Sequence, residues 1–195
     1  MTSFLIAILI AYLIGSLSSA IIASKISHAP DPRTEGSGNA GATNVLRTAG
    51  KQQAILVLMG DAVKGLLAVW IGLHLFHLKP FAVGLVALAA VIGHIFPLYF
   101  GFKGGKGVAT AIGCVLALSF ISGILMIAAW AAIAFVTRYA SLASLVALIL
   151  APIFLLIFAK AAYFISAILI AAVILYKHKD NIARLKNKTE SKINF

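Results

Sequence analysis

A series of apolar runs, separated by short polar segments, most constrains what this chain can fold into. A bilayer span needs roughly 20 mainly apolar residues, because the hydrocarbon core is about 30 Å thick and a helix rises about 1.5 Å per residue. The pattern predicts an all-α membrane helix bundle with seven transmembrane helices, formed by one integral-membrane domain over residues 1–195. The predicted spans lie near residues 3–24, 53–76, 81–100, 108–120, 122–137, 141–159 and 161–177.

Composition supports the membrane assignment, since 62% of the 195 residues are hydrophobic, more than a soluble domain of this length buries. The first run is expected to remain as a helix and not to act as a cleaved signal. No basic residue precedes it, and Ser16, Ser18 and Ser19 lie within it.

The stretch 108–137 fits either one long tilted helix or two short helices broken near Ser119 to Gly123. Charge placement favours two, because seven spans with the amino terminus outside leave only Lys79 and Lys160 on the outer side. The cytoplasm then receives the carboxy terminus and most basic residues, as the positive-inside rule requires. These basic residues are Lys25, Arg33, Arg47, Lys51, Lys103, Lys106, Arg138 and the tail from Lys177 onward.

The charge of +11 is explained by basic cytoplasmic loops, so we expect no nucleic-acid partner. One cysteine, Cys114, and five carboxylates supply few metal ligands, and we expect neither a metal nor a cofactor. No histidine is followed by aspartate five residues later, and no Ser-His-Asp set can be assigned. The composition therefore favours phosphate binding by cations and amides over catalysis by a strong protein nucleophile.

Three polar islands, residues 31–51, 101–107 and 177–192, reach the same predicted face. In the first, Gly36, Gly38 and Gly41 permit tight turns, and Ser37 and Asn39 are predicted to cap the following helix. Free amides at a helix start bind phosphate, and Arg47 adds a bidentate charge. A flexible interhelical loop is the alternative.

The second island places Lys103 and Lys106 among Gly104, Gly105 and Gly107, directly before an apolar helix. This pattern predicts an anion cradle, although an ordinary basic loop also fits. It is not a nucleotide P-loop, because GxxxxGK[ST] would need glycine at Phe100 and a hydroxyl residue at Gly107.

In the third island, His178 and Asn181 share one face of a helical turn, and Arg184 continues that face. A basic juxtamembrane helix on anionic lipid is the alternative. Elsewhere, Asp61 and Lys64 lie at helical spacing within the second span. They are expected to form either a buried ion pair or a functional site. His94, at the end of the third span, either supports the site or satisfies a local carbonyl.

The residues alone leave three functions open. An enzyme would use all three islands, and a transporter of a phosphorylated anion would add Asp61 and Lys64 as a pathway through the bundle. A scaffold for anionic lipid would need only the basic tail.

Four segments taken together resemble the bacterial PlsY family, the membrane glycerol-3-phosphate acyltransferases that use acyl phosphate. They are GSGNAGATNVLR, DAVKG, GHIFPLYFGFKGGKGVATAIG and HKDNIARL. The resemblance runs along the whole chain and implies a single acyltransferase domain in the bacterial inner membrane, with its site facing the cytoplasm. It implies transfer of a fatty acyl chain from acyl phosphate to the 1-hydroxyl of glycerol 3-phosphate, giving lysophosphatidic acid, with membrane lipid around it and no obligate protein partner.

The family motifs fall on Ser37–Arg47, Gly104–Gly113 and His178–Glu190. The resemblance implies that Arg47 and Lys106 grip phosphate, that Ser37 orients substrate, and that His178 and Asn181 hold the acceptor. Where the family commonly has glycine two residues before its glutamate, this chain has Lys188. The further expected substrate-binding residues are Gly38, Asn39, Thr43, Asn44, Lys103, Gly104, Arg138, Ser141, Ser144 and Arg184.

Overall fold

The computed structural model describes residues 1–193, and within them the regular secondary structure is entirely helical. Short 3-10 or π-helical turns at Ile71–Leu75, Leu98–Phe100 and Ala161–Tyr163 join or extend the α-helices. The α-helices are α1 (Thr2–Gly15), α2 (Ser19–Ile26), α3 (Ala42–Thr48), α4 (Lys51–Trp70), α5 (Pro80–Ile95), α6 (Val108–Leu118), α7 (Phe120–Thr137), α8 (Ala140–Phe158), α9 (Phe164–Lys177) and α10 (Lys179–Lys186).

Four helical segments of the described part are long and apolar enough to cross a membrane. They are Lys51–Leu75, Pro80–Phe100, Phe120–Thr137 and Ala140–Phe158. Two bent pairs, α1 with α2 and Ala161–Lys177 with α10, raise the number of candidate spans to six. Helix α6 is apolar but shorter. The protein is thus an all-helical bundle with four to six candidate spans, which is a coarser result than the predicted seven.

The single helix predicted over residues 3–24 is instead two helices that meet at an angle of 42°. Ser16 turns its hydroxyl back to the carbonyl of Tyr12, 2.8 Å away, and α1 ends at Gly15. Leu17 follows in the break, so its carbonyl oxygen is free of a helical partner and accepts from Lys64 Nζ at 2.6 Å. The break therefore exchanges one helical hydrogen bond for a bond to a buried cation.

The stretch 108–137 forms two helices, as predicted, with the break at Ser119. Ser119 has an extended backbone, and its hydroxyl accepts from the amide of Ser122 at 3.3 Å, which caps α7. Helix α5 ends at Ile95 because Pro97 disfavours helical geometry at Phe96. The loop that follows is thereby directed back over the end of the bundle.

Helices α4 and α6 approach closely through small residues. A side chain at Gly65 would collide with the Thr110 carbonyl, and one at Gly113 would collide with the Ala62 carbonyl. Small residues at such crossings allow membrane helices to make backbone contact. This contact fixes the position of α6 relative to α4, and α6 begins directly after the glycine-rich loop 101–107.

Candidate active site

The three polar islands meet at one end of the bundle and surround a cleft of about 800 Å³. Loop 31–51, the start of α6, the start of α8 and the segment 178–191 all contribute to its wall. The polar side chains that line it are Ser37, Asn39, Thr43, Asn44, Arg47, His94, Lys106, Ser141, Ser144, His178, Asn181, Arg184, Glu190 and Ser191.

Asn44 organises the first island. Its Oδ1 accepts from the amide of Ser37 at 2.8 Å and from the Ser37 hydroxyl at 3.1 Å. Its Nδ2 donates to the carbonyls of Pro32 at 2.8 Å and Glu35 at 3.0 Å. The predicted substrate contact of Asn44 is therefore not available to its side-chain amide, because both donors and both acceptor sites are used within the loop.

The capping role predicted for Ser37 and Asn39 is wrong. Helix α3 starts after Gly41 without a side-chain cap. Ser37 points to Asn44 instead, and its hydroxyl donates to an amide oxygen, which is not a base that activates a nucleophile. Arg47, on α3, is exposed and donates to the carbonyl of Ser191 at 3.1 Å, so its guanidinium retains donors for a ligand.

Lys106 is the cation that the second island places in the cleft, where its ammonium donates a hydrogen bond to Asn181 Oδ1. Burial, aided by the nearby Arg184, lowers the pKa of Lys106 to about 8. Helix α6 begins directly after Gly107 without a side-chain cap, and its first residues also line the cleft. Unpaired helix amides and a lysine thus face the same space, an arrangement that suits phosphate.

His178 follows the last residue of α9 and is buried against the cleft. Its Nδ1 lies 2.8 Å from the Ile174 carbonyl, which can only accept, so we assign the ring proton to Nδ1 and a free lone pair to Nε2. Burial, more than the neighbouring Lys106, lowers the pKa of His178 to about 4 although the bond to Ile174 opposes this shift. At neutral pH the imidazole is uncharged and offers an acceptor.

Glu190 links the third island to α8 and was not among the expected site residues. Its Oε1 accepts from the Ser141 hydroxyl at 2.7 Å and from Asn181 Nδ2 at 2.6 Å. Its Oε2 pairs with Arg184 Nε at 2.7 Å. Burial alone would raise the pKa of Glu190, but these hydrogen bonds hold it below its ordinary value, and the carboxylate stays charged.

The turn that aims Glu190 into the cleft contains Lys188, where the family commonly has glycine. Lys188 has a φ of +58°, in the left-handed region that glycine adopts without strain. The amide of Thr189 donates to the carbonyl of Arg184 at 2.9 Å and closes the end of α10. A lysine therefore adopts here a backbone conformation that favours glycine.

Four predicted site residues do not line the cleft, namely Gly38, Lys103, Gly104 and Arg138. Lys103 is exposed. Arg138 ends α7 in a left-handed conformation, and its carbonyl accepts from the amide of Ile193 at 2.7 Å. This geometry does not support substrate contacts for these four residues. The sequence could not show this, because the position of a loop residue along the chain does not reveal which way its side chain points.

Ser144 lies in the cleft wall, where its hydroxyl donates to the Ala140 carbonyl at 2.8 Å and accepts from Trp130 Nε1 at 3.1 Å. Trp130 was not predicted, because a single aromatic residue within an apolar run gives no signal of a site. The apolar remainder of the cleft was missed for the same reason. It is formed mainly by Leu58, Met59, Ala62, Val63, Leu66, Ile112, Leu116, Ile127 and Trp130.

This apolar part lies between α4, α6 and α7 and is continuous with the polar part. Leu58, Met59 and Val63 are each about half exposed, at 46%, 58% and 54%. On a helix long enough to span the membrane, such side chains face lipid. The cleft therefore opens sideways toward the bilayer.

Within residues 1–193, no group of three or more His, Cys, Asp or Glu side chains is placed to hold a metal ion. The expectation that the protein works without a cofactor remains a prediction. The cations around the cleft are the groups available to bind anionic substrate.

A family model described as "Glycerol-3-phosphate acyltransferase" matches residues 5–188. A protein of that name from Coxiella burnetii is 49% identical over 191 residues, covering 98% of both chains. One from Pseudoalteromonas translucida is 48% identical over 185 residues, covering 95% of this chain and 90% of the relative.

Two crystal structures of PlsY (YgiH), an integral membrane glycerol 3-phosphate acyltransferase, have a similar fold. The glycerol 3-phosphate form superposes with a TM-score of 0.93, and the lysophosphatidic acid form with 0.91. Each is 39% identical and covers 98% of this chain and 96% of its own.

Proposed function

Because this chain belongs to the PlsY family and is an integral-membrane glycerol-3-phosphate acyltransferase, we propose that its acyl donor is an acyl phosphate. The acyl chain is transferred to the 1-hydroxyl of glycerol 3-phosphate, and the products are lysophosphatidic acid and phosphate. This step belongs to phospholipid synthesis. Residues 1–195 act as one domain.

One observation carries the proposal. A single cleft joins a cationic part, which contains Arg47 and Lys106, to the apolar part between α4, α6 and α7, called the apolar trough below. An acyl phosphate has the same two parts, a phosphate head and a hydrocarbon tail. Arg47 and Lys106 bind the phosphate groups, with the amides at the start of α6. The tail lies in the trough between α4, α6 and α7, from which it reaches lipid.

In the reaction, the glycerol hydroxyl oxygen attacks the acyl carbonyl carbon, and the bond from that carbon to the phosphate oxygen breaks. His178 accepts a hydrogen bond from the hydroxyl at Nε2, and Asn181 fixes the acceptor. The group that departs is orthophosphate, a stronger base than a phosphomonoester with its second pKa of about 6, whereas burial lowers the pKa of His178 to about 4. The proton therefore goes to the phosphate.

Direct transfer is favoured over an acyl-Ser37 intermediate, because the Ser37 hydroxyl has an amide oxygen as its partner and no base. Protein incubated with palmitoyl phosphate alone should gain no acyl mass. Mass spectrometry of the intact protein tests this, with Ser37→Ala as the matched control. An acyl adduct present in the wild type and absent from Ser37→Ala refutes direct transfer.

The donor is tested by phosphate release from palmitoyl phosphate and glycerol 3-phosphate, with palmitoyl-CoA and palmitoyl-acyl carrier protein in parallel. Release that requires both substrates and yields lysophosphatidic acid supports the proposal. His178→Ala should abolish it, whereas His77→Ala should not, because His77 lies exposed in the loop between α4 and α5. Turnover only with a thioester donor would refute it.

We further propose seven spans with the amino terminus outside and the cleft facing the cytoplasm of the bacterial inner membrane. The distribution of lysines and arginines supports this orientation. Cysteine substitutions at Lys79 and Lys160 should react with an impermeant thiol reagent from outside, and those at Lys51 and Lys103 only after lysis. The native Cys114 is buried and gives a low background. The opposite labelling pattern refutes the orientation.

A further inference from the structure

Three ionisable side chains form a buried cluster, and one of them, His94, lies against the glycine-rich loop 101–107. Asp61 and Lys64 are on α4 and His94 is on α5, and their side chains are 2%, 6% and 5% exposed. Charged groups inside a membrane bundle are expensive to bury and are retained where they serve function. The reaction described above uses none of them.

Lys64 has three ammonium protons and three neighbours at its Nζ. It lies 2.6 Å from the Leu17 carbonyl, 2.9 Å from His94 Nδ1 and 2.8 Å from Asp61 Oδ1. The carboxylate oxygen makes an ion pair with Lys64 but no directed hydrogen bond. Asp61 thus neutralises the charge, whereas the other two contacts fix its position.

The contact with Lys64 also sets the tautomer of His94. An ammonium can only donate, so Nδ1 accepts and the ring proton resides on Nε2. Rotation of the ring would break the bond to Lys64. The ring plane of His94 is therefore held by a cation on α4 that also binds the Leu17 carbonyl in the break between α1 and α2.

The Nε2 edge of His94 supports the loop. A side-chain carbon at Gly105 would collide both with Nε2 and with the Ala40 carbonyl oxygen, which would be 2.6 Å away. Gly105 therefore fills the gap between the imidazole and the first island. The next residue is Lys106, whose ammonium reaches Asn181 across the cleft.

We propose that Asp61, Lys64 and His94 form a positioning network that sets the place of Lys106 in the cleft. His94 supports the loop at Gly105, Lys64 orients the imidazole, and Asp61 neutralises the positive charge of Lys64. The inference rests on the proposed function, since it concerns the lysine that binds phosphate there. These are positioning residues, because they act through Lys106.

Two substitutions of His94 separate its two edges. His94→Gln places an amide near the position of Nε2 and supports the loop, whereas His94→Asn reaches only the position of Nδ1. A catalytic group that is misplaced by about 1 Å can lower turnover by as much as about 100-fold. We therefore expect His94→Asn, which removes the support of the loop, to lower kcat by about 10- to 100-fold. His94→Gln should retain more activity, and His77→Asn, which changes an exposed histidine, should match the wild type.

A double-mutant cycle with Lys106→Met tests whether His94 acts through the lysine. If it does, His94→Asn combined with Lys106→Met turns over as slowly as Lys106→Met alone, within about twofold. Multiplying losses would show that His94 acts independently, by touching substrate or by general destabilisation, and would overturn the proposal. A kcat of His94→Asn within about twofold of wild type would overturn it too.

Asp61→Asn combined with Lys64→Met removes the cation without leaving an unpaired buried charge. This variant should show the same kcat loss as His94→Asn and the same lack of further loss with Lys106→Met. Thermal unfolding in detergent establishes that it is folded, and if it is not, the two histidine variants decide the question. Wild-type turnover with a thioester donor alone would refute the donor assignment, while the cycle run with that donor would still test the network.

Discussion

The alkaline side of the rate profile should report Lys106. Its ammonium is enclosed by groups of both signs, and burial is the largest cause of its lowered pKa, about 8 against an ordinary value of 10.5. Arg184 and Arg47 lower this pKa as well, and Glu190 and Asp180 oppose them. In the free enzyme the lysine therefore loses its proton as the pH rises through about 8.

The magnitude follows from these two values. The difference between 10.5 and about 8 corresponds to about 3 kcal/mol against the charged lysine in the empty cleft. Because only the charged form binds phosphate well, kcat/KM should fall about tenfold for each pH unit above 8. A bound phosphate dianion raises the pKa of Lys106, so the decline in kcat should begin at higher pH than the decline in kcat/KM.

The assay is phosphate release between about pH 6.5 and 10, fitted separately for kcat/KM and kcat. Lys106→Arg keeps the charge, and its guanidinium stays protonated throughout, so the decline near pH 8 should disappear although the rate is lower. Lys103→Arg makes the same change outside the cleft and should leave the profile unaltered. A decline near pH 8 that persists in Lys106→Arg, or a wild-type kcat/KM that is flat to pH 9.5, would refute this reasoning.

Three further predictions concern stability and the turn after α10. Lys106→Met should greatly reduce turnover, to a rate that stays measurable, yet leave the thermal unfolding temperature unchanged or higher, since it removes a charge that burial disfavours; a clear fall in that temperature would contradict this. Glu190→Gln should destabilise the protein by about 1–2 kcal/mol, because one charge-assisted bond to the partly exposed Arg184 is lost, and thermal unfolding beside the exposed Asp180→Asn control measures this. Lys188→Gly should stabilise by about 1 kcal/mol with normal activity, because it removes left-handed strain from a side chain; equal or lower stability would count against that strain.

The helical, membrane-bound character of the chain was predictable because apolar runs of roughly 20 residues have few other solutions. The break at Ser119 was also visible, since polar residues interrupt the run there. The break after Ser16 was not predicted, because it depends on Lys64 reaching the Leu17 carbonyl from another helix. A contact of that kind leaves no periodic signal in the sequence.

The three islands and their cations could be read from the sequence, because glycine and basic residues stand out against apolar runs. Which of them face the cleft could not be read. Lys103 and Lys106 belong to one short motif, yet only Lys106 lines the cleft. Our explanation is that Gly105 packs against His94, which sets the direction of the next side chain. The role of Glu190 likewise depended on a left-handed turn at Lys188 that the sequence argues against.

By itself, the sequence determined the class of fold, the family and the chemistry available, because these follow from residue types and from motifs in a fixed order. The tertiary structure alone decided which side chains share the cleft, which carbonyl satisfies Lys64, and where the apolar trough opens to lipid. The physical reason is that hydrogen bonds and close packing join residues far apart in the chain. Local composition sets what a residue can do, and only the packed bundle sets what it touches.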